Sequence, residues 1–315
     1  MPPSLPFKMR LPVISAPMFL VSGPELVIAA CKAGIGGAFP TPNCRTPADL
    51  DSWMGQITDA LSPTDGPWVA NLITHSTNSR LKDDLALVAE YKPPIVITAL
   101  GSPKPVMETV KSYGGLVFAD VVNMALARKA ADAGVDGMAC ISAGAGGHTG
   151  HLSPFAFISA LRQFFDGYIA VGGGIADGTG VAGAIAAGAD LVYMGTRFLA
   201  ASESRAQDAY KNMVVDCGPD DLIVSPAITG TNASWLIPSL IAAGLDPKAL
   251  DTPVTRDYSG DAAHKRWKDI WAAGQGLQTI DSVMPTRQIV DRLEAEYWTA
   301  IDRFSARTRN MEMAS

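Results

Sequence analysis

The sequence is poor in the residues that mark several protein classes. Only 18% of its 315 residues are charged and 7% are aromatic, the formal net charge is −6, and no basic stretch occurs. Nucleic-acid binding is therefore not expected, because it depends on clustered lysine and arginine. The four cysteines are scattered without a CxxC pair, which argues against a zinc ribbon and a disulfide framework. Apolar residues still make up 48%, enough for a large core, so disorder is excluded.

Long apolar runs are also missing. The apolar stretch at residues 11–21 is broken by Pro12 and Pro17 and is too short to span a membrane. It lacks the small-residue cleavage pattern of a secretory signal peptide. We therefore expect a soluble, cytoplasmic protein without a membrane partner, and we leave homo-oligomerisation open.

Over its first 200 residues the sequence alternates between two kinds of segment. Short apolar segments bounded by glycine or proline read as strands that are buried on both faces. Ala-rich segments with helical spacing separate them. The predicted strands are 13–16, 35–38, 68–71, 95–98, 116–119, 137–141, 168–171 and 191–194, and the predicted helices are 24–33, 46–61, 81–91, 103–113, 123–133, 154–165 and 180–187.

An Ala-Gly pair ends a helix before the next strand at residues 33–34, 133–134 and 187–188, as a repeated βα unit would require. Eight such units predict the α/β class and a (β/α)8 TIM barrel. The alternative is an open doubly wound sheet, which eight strands make less favourable.

The last third of the chain differs from the barrel segment. It is richer in tryptophan and charge, and helices are predicted at 208–215, 234–243, 260–273 and 287–305. No Gly/Ser-rich linker precedes it, so we predict a C-terminal helical cap that packs on the barrel. The expected division is a barrel core at 1–204, a helical lid on the substrate side at 205–285, and a C-terminal helix at 286–315 that packs back on the barrel.

The loop after the sixth predicted strand has the strongest signal for chemistry. Four glycines surround His148 between residues 142 and 151, at the face where TIM barrels hold their active sites. An imidazole without bulky neighbours suits a general base, whereas the alternative is a polar loop histidine that bonds only to backbone. His151 completes no metal-ligand set, so we predict no metal site. We expect His151 to cap or orient the start of the helix that begins at Pro154.

Two glycine-rich loops follow the seventh and eighth strands, where TIM barrels commonly bind phosphate. Their spacing matches neither a dinucleotide fingerprint nor a P-loop, which favours a mononucleotide or a sugar phosphate. The alternative is glycine used only for tight turns. Arg197 has two candidate partners, the phosphate and a carboxylate such as Glu203. The residues expected to supply amides and a hydroxyl are Gly172, Gly173, Gly174, Gly195 and Thr196.

Other strand ends carry few polar groups. Ala16, Pro17 and Met18 end the first strand and could pack against a flat ring, although simple core packing of Met18 is equally consistent. Asn71 could bond a ring edge, and Asp120 could orient His148 or bond a ring or substrate. One histidine without a metal cannot perform redox chemistry, so a phosphate site here implies a cofactor that accepts electrons.

Together these segments resemble the nitronate monooxygenase family, formerly called 2-nitropropane dioxygenases. The resemblance covers roughly residues 10–295. It rests on Ala16-Pro17-Met18, Asn71, the GGHTG of residues 146–150, the GGGIADG of 172–178, the MGTRF of 194–198 and the WAAGQG of 271–276.

The resemblance implies an FMN-dependent TIM barrel that oxidises alkyl nitronates with O2 to a carbonyl compound and nitrite. His148 matches the family's active-site base, and a small nitro compound and O2 are the implied partners. The alternatives are an FMN-dependent NAD(P)H reductase of quinones or enoyl thioesters and a non-flavin phosphate-binding barrel. The expected cofactor-binding residues are Ala16, Pro17, Met18, Asn71, Asp120, Ala145, Gly146, Gly147, Gly172, Gly173, Gly174, Gly195, Thr196, Gln275 and Gly276.

The sequence departs from the family pattern at two places. Many members carry lysine where this chain has Asp120, and many carry glutamate just before the GGH element, where Gly144 and Ala145 stand here. Both changes remove polar groups from the mouth and leave the substrate open.

Overall fold

The computed structural model describes residues 4–250 and 268–312. Eight parallel strands form a closed barrel in which each pairs with the next along the chain and the last pairs with the first, which confirms the TIM barrel. A short strand, β7 (Gly147–His148), lies outside it. The barrel strands are β1 (Val13–Ser15), β2 (Gly36–Pro40), β3 (Trp68–Ile73), β4 (Ile95–Ala99), β5 (Leu116–Val121), β6 (Gly137–Ile141), β8 (Tyr168–Gly172) and β9 (Leu191–Met194).

Helices connect the strands along the outside of the barrel, and several begin at capping residues. Thr46 and Asp49 form a capping box at the start of the second helix, and Asn123 and Asp177 accept hydrogen bonds from backbone N–H groups at the starts of the fifth and seventh helices. These helices are α1 (Pro24–Lys32), α2 (Pro47–Ala60), α3 (Leu81–Tyr91), α4 (Lys104–Ser112), α5 (Met124–Asp132), α6 (Pro154–Leu161), α7 (Gly178–Ala186) and the one-turn α8 (Thr196–Leu199).

The barrel interior is a packed core. Alternate strand residues point inward, among them Ile14, Val69 and Ile97. Phe118 and Tyr168 stack there with ring centroids 6.1 Å apart. This packing leaves no space beside Gly137, because a Cβ at that position would lie 2.5 Å from the Phe118 ring. The interior is therefore closed below the mouth, and a ligand must bind at the strand ends.

The segment after β9 contains strands as well as helices. α9 (Asp208–Asp216) is followed by β10 (Leu222–Ser225), β11 (Ala233–Leu236) and α10 (Ile237–Ala242). The predicted helix at 234–243 is therefore wrong over its first part. A short, fully buried apolar run has no periodicity that separates a strand from a helix, whereas Pro238 near the start of α10 marks the true boundary.

The predicted helix at 260–273 lies mostly outside the described residues, and in its described end Ala272 makes a β-bridge with Trp235. The division of the chain into core, lid and C-terminal helix stays a prediction. Below, "lid" denotes residues 205–285. Within 4–250 and 268–312, no helix is long and apolar enough to cross a membrane.

The last helix, α11 (Thr286–Glu312), packs against both α7 and α1. Its contact with α7 is close, since a Cβ on Gly178 would lie 2.0 Å from the Leu293 carbonyl oxygen. At its start, the Glu203 carboxylate accepts hydrogen bonds from the Thr286 amide at 2.9 Å and from the Thr286 hydroxyl at 2.7 Å. The helix thereby covers the outside of the barrel.

Two glycine substitutions test this packing. Gly137→Ala places a methyl group against the Phe118 ring, so we expect a loss of about 1–3 kcal/mol in unfolding free energy. Gly183→Ala in α7 meets no atom within 4 Å and should stabilise by about 0.5–1 kcal/mol, because alanine favours helix. Thermal unfolding of both variants measures the difference, and an unchanged midpoint for Gly137→Ala would contradict the interior packing.

Candidate active site

Three loops and one distant segment meet at the carboxyl ends of the strands. The Gly144 carbonyl, after β6, accepts hydrogen bonds from the Gly174 amide at 3.0 Å and from the Gln275 amide at 2.9 Å. A Cβ on Gly146 would lie 2.7 Å from the Gly274 nitrogen. These contacts have no room for side chains, so glycine lets the loop after β6, the loop after β8 and the 271–276 segment come together.

His148 is held at the mouth by backbone pairing with the lid. In the antiparallel ladder of β7 and β11, His148 stands opposite Ala233 and Gly147 opposite Ser234. The Thr149 amide then donates to the Asn232 carbonyl at 3.0 Å. Sequence reasoning placed His148 in a loop and missed this three-stranded sheet, since a two-residue strand carries no period of its own.

The environment of His148 suits a base. The residue is partly exposed at the mouth, while protein surrounds most of the imidazole. Burial lowers the pKa of His148 below its usual value, because the low-dielectric surroundings disfavour the charged ring. At neutral pH the imidazole is therefore uncharged and able to accept a proton.

The glycines predicted to bind a phosphate lie at the ends of β8 and β9 and in the loops that follow them. Gly173 and Gly174 have φ values of +138° and +68°, which glycine adopts readily. Gly195 precedes α8, whose first amides have no acceptor within the helix. The Thr196 hydroxyl accepts from the Gly274 amide at 2.9 Å, and such a hydroxyl still has its own proton to donate.

The ends of β1 and β3 lie beside these loops. A Cβ on Gly195 would lie 3.6 Å from the Met18 sulfur and 3.8 Å from Ala16, so the first and last barrel strands bring these residues together. The Asn71 side chain is 6% exposed and donates to the Ile97 carbonyl at 3.2 Å. This hydrogen bond uses the side-chain NH2 group of Asn71, so its amide oxygen is still available as an acceptor.

For Asp120, at the end of β5, the sequence leaves two roles open: orienting His148, or bonding a ring or substrate. No hydrogen bond joins it to His148 within the described part of the chain, and its Oδ1 is enclosed without a partner there. Burial raises the pKa of Asp120 to about 7. Asp120 therefore does not orient His148.

The contacts also bear on the expectations for His151 and Arg197. His151 is exposed, and Ser153 rather than His151 caps α6 by accepting from the Ala156 amide at 3.4 Å. Arg197 is 2% exposed, and in the described structure neither its Nη1 nor its Nη2 has a hydrogen-bond partner. The Glu203 carboxylate instead accepts hydrogen bonds from Thr286 at the start of α11. Among residues 4–250 and 268–312, no three His, Cys, Asp or Glu side chains group as metal ligands.

Comparison with known proteins places this geometry in a family. The sequence profile of the nitronate monooxygenases matches residues 75–296, more than half of the chain. The chain belongs to the nitronate monooxygenase family. It is thus an oxidoreductase, and the family implies a flavin cofactor.

Individual relatives and structural neighbours differ in the activity that their names give. A nitronate monooxygenase of Paraburkholderia phytofirmans is 27% identical, with 93% of each chain covered. A carboxyl-CoA dehydrogenase of Rhodococcus jostii, acting on a hydroxy-methyl-oxo-octahydroindene, is 29% identical over 70% of this chain and 60% of the relative. The solved nitroalkane oxidase from Streptomyces ansochromogenes superposes with a TM-score of 0.77 at 21% identity, covering 94% of this chain and 98% of that one. At that identity it shows the fold alone.

The residues at the mouth fit a flavin of this family. Gly174 and Gly195 are not crowded, since a Cβ on either would make only ordinary van der Waals contacts, at 3.9 Å and 3.6 Å respectively. Asp120 Oδ1, Ser142 Oγ and the Tyr193 hydroxyl are enclosed and lack hydrogen-bond partners within the described residues. They lie at or next to the ends of β5, β6 and β9, where a cofactor with polar ring edges would give them partners.

A single methyl group tests whether the loop contacts matter for the cofactor. Gly146→Ala would place a Cβ 2.7 Å from the Gly274 nitrogen and 2.8 Å from the Ala273 carbonyl carbon. Separating the two segments costs about 1–3 kcal/mol, and we expect flavin to be retained more weakly. Flavin absorbance per protein after dialysis measures this, with Gly183→Ala as the matched control. Full retention in Gly146→Ala would refute the coupling.

Proposed function

We propose that the protein is an FMN-dependent nitronate monooxygenase that converts nitroalkanes or their nitronates with O2 into a carbonyl compound and nitrite. The observation that carries the proposal is the position of His148, paired into the lid sheet beside the glycine loops after β8 and β9. An uncharged base next to a flavin is what oxidation of a carbon acid requires.

FMN is the flavin we propose because the glycine loops after β8 and β9 would form a compact site for a single phosphate. The glycine loops at 172–174 and 195–196 would hold a phosphate through backbone amides, the arrangement found after the last two strands of many TIM barrels. Met18 and Ala16 would pack on the ring, and Asn71 would bond its edge. The flavin accepts the electrons of the oxidation when it is bound.

His148 has the task of moving one proton. The carbon–hydrogen bond next to the nitro group breaks, its electron pair spreads into the nitro group, and the proton goes to the imidazole. A substrate that arrives as the nitronate has already lost this proton, so His148 would then only bind the anion.

The lid side of the mouth suits a small substrate of low polarity. Trp271 stacks on Tyr210 at 5.0 Å between ring centroids, and the Tyr210 hydroxyl donates to the Ala272 carbonyl at 2.5 Å. This holds the segment that contacts Gly146. Met18 packs against the same apolar cluster, so substrate and O2 would approach across a largely apolar surface.

Nitrite release tests the activity directly. Purified yellow protein in air should release nitrite from a nitroalkane or its nitronate in step with O2 consumption. A protein that holds FMN but forms no nitrite from any nitro compound would refute the proposal. Rapid anaerobic bleaching of the flavin by NADH would instead identify a reductase, and bleaching by an acyl-CoA would match the activity of the Rhodococcus relative.

A substitution separates proton removal from oxidation. His148→Asn keeps a polar side chain on β7 and removes the base, so turnover of the neutral nitroalkane should fall by about 10²–10⁴-fold. Turnover of the nitronate should fall far less, and FMN content should not change. The matched control is His151→Asn, an exposed histidine three residues away. Equal losses on both substrates would contradict a base role.

The pH profile follows from the same group. Because burial lowers the pKa of His148, the base stays uncharged to a lower pH than an ordinary histidine. We expect kcat/KM for a neutral nitroalkane to be flat through neutrality and to fall about tenfold per pH unit only below the usual histidine value of ~6.5. An acidic limb that begins above this value would contradict the assignment.

A further inference from the structure

Two oxygen atoms inside the barrel mouth have no part in the chemistry assigned to His148. Asp120 Oδ1 and the Tyr193 hydroxyl are both enclosed, and neither has a hydrogen-bond partner within the described residues. An enclosed polar atom without a partner is costly, so such atoms ordinarily meet a water or a ligand. Two of them near one ligand site call for a common explanation.

Both side chains face the inside of the barrel. Tyr193, on β9, belongs to the interior cluster that also contains Phe118 on β5. Asp120 follows Phe118 by two residues on the same strand, and strand residues two apart point to the same side. Asp120 is partly exposed as a residue although its Oδ1 is not, which is expected of a group at the floor of an open mouth.

Among the residues that the structure describes, no cation lowers the pKa of Asp120. Burial alone raises the pKa of its carboxyl to about 7, and no charged side chain of the described residues offsets this. The ionisable neighbours that sense its charge are Tyr193 and the Cys140 thiol on β6, and burial raises the pKa of both, so both are neutral. His148, at the same mouth, is also uncharged at and above neutrality because burial lowers its pKa.

We propose that Asp120 binds the flavin ring as a neutral carboxylic acid and that Tyr193 supplies a second donor on the same floor. The assignment rests on the flavin-dependent function proposed above. The ring's pyrimidine-like edge carries an N–H group between two carbonyl oxygens. A protonated carboxyl offers one donor and one acceptor side by side, which is the complement of such an edge. A carboxylate offers acceptors only.

A consequence is that flavin binding takes up or retains one proton at Asp120. Only the protonated form of the free protein can bind without burying a charge, so affinity should weaken as pH rises through the pKa of Asp120.

FMN affinity as a function of pH tests the assignment without reference to turnover. Protein stripped of flavin is titrated with FMN between pH 7 and 8.5, where the phosphate (second pKa ≈ 6) is essentially fully charged. The wild-type Kd should rise roughly fifteenfold over this range, approaching tenfold per pH unit. Asp120→Asn keeps a donor and an acceptor but does not titrate, so its Kd should stay within about twofold of constant.

Two further variants complete the test. Asp132→Asn alters an exposed aspartate at the end of α5 and should reproduce the wild-type pH curve. Tyr193→Phe removes one neutral hydrogen bond and should weaken FMN about fivefold at every pH without changing the slope.

The outcomes are distinguishable. A wild-type Kd that does not change with pH, or a wild-type slope retained in Asp120→Asn, would overturn the role of Asp120 while leaving an FMN enzyme in place. Failure of the wild-type protein to bind FMN at any pH would overturn the proposed function and this assignment together.

Discussion

His148 reaches the mouth of the barrel because β7 pairs with β11. Two ladder positions, His148 opposite Ala233 and Gly147 opposite Ser234, fix the backbone on which the imidazole stands. The barrel contributes the loop, and the lid contributes the strand that straightens it. A loop rich in glycine would otherwise have little reason to hold one conformation, since glycine loses the most conformational freedom on folding.

The same constraint explains why few side chains lie between the backbone segments around the site. Gly144, Gly146 and Gly274 bring backbone against backbone, and their hydrogen bonds replace the side-chain contacts that would normally fill such space. A side chain at residue 144 would be strained, because φ there is +86° and a Cβ would lie 3.2 Å from the Gly174 nitrogen. Glycine at this position is therefore required by the backbone and by the packing of the loop after β8.

Most of the barrel could be predicted from the sequence, and the reasons are local. The bounds of β6, β9 and α3 agree with the prediction, because apolar runs between glycines and a regular helical period are visible within ten residues. The lid sheet could not be predicted, since β7 has two residues and takes its conformation from a partner some 85 positions away. The inward direction of Asp120 follows from its spacing to Phe118, whereas its lack of a partner depends on strands far away in sequence. Likewise, the sequence does not reveal that Ser153 rather than His151 caps α6. It also does not reveal that Arg197 is buried while Glu203 bonds to Thr286.

The position of α11 has a consequence for how this molecule is built. In a (β/α)8 barrel each strand is followed by a helix on the outside, but the helix directly after β9 is a single turn. α11 packs against α7 and α1, the two neighbours that an eighth outer helix would have. Residues 200–285 are thus an insertion between the last strand and the last helix of the barrel. An insertion at that point opens onto the catalytic face and can change in length or sequence while the ring of eight strands and eight helices stays closed.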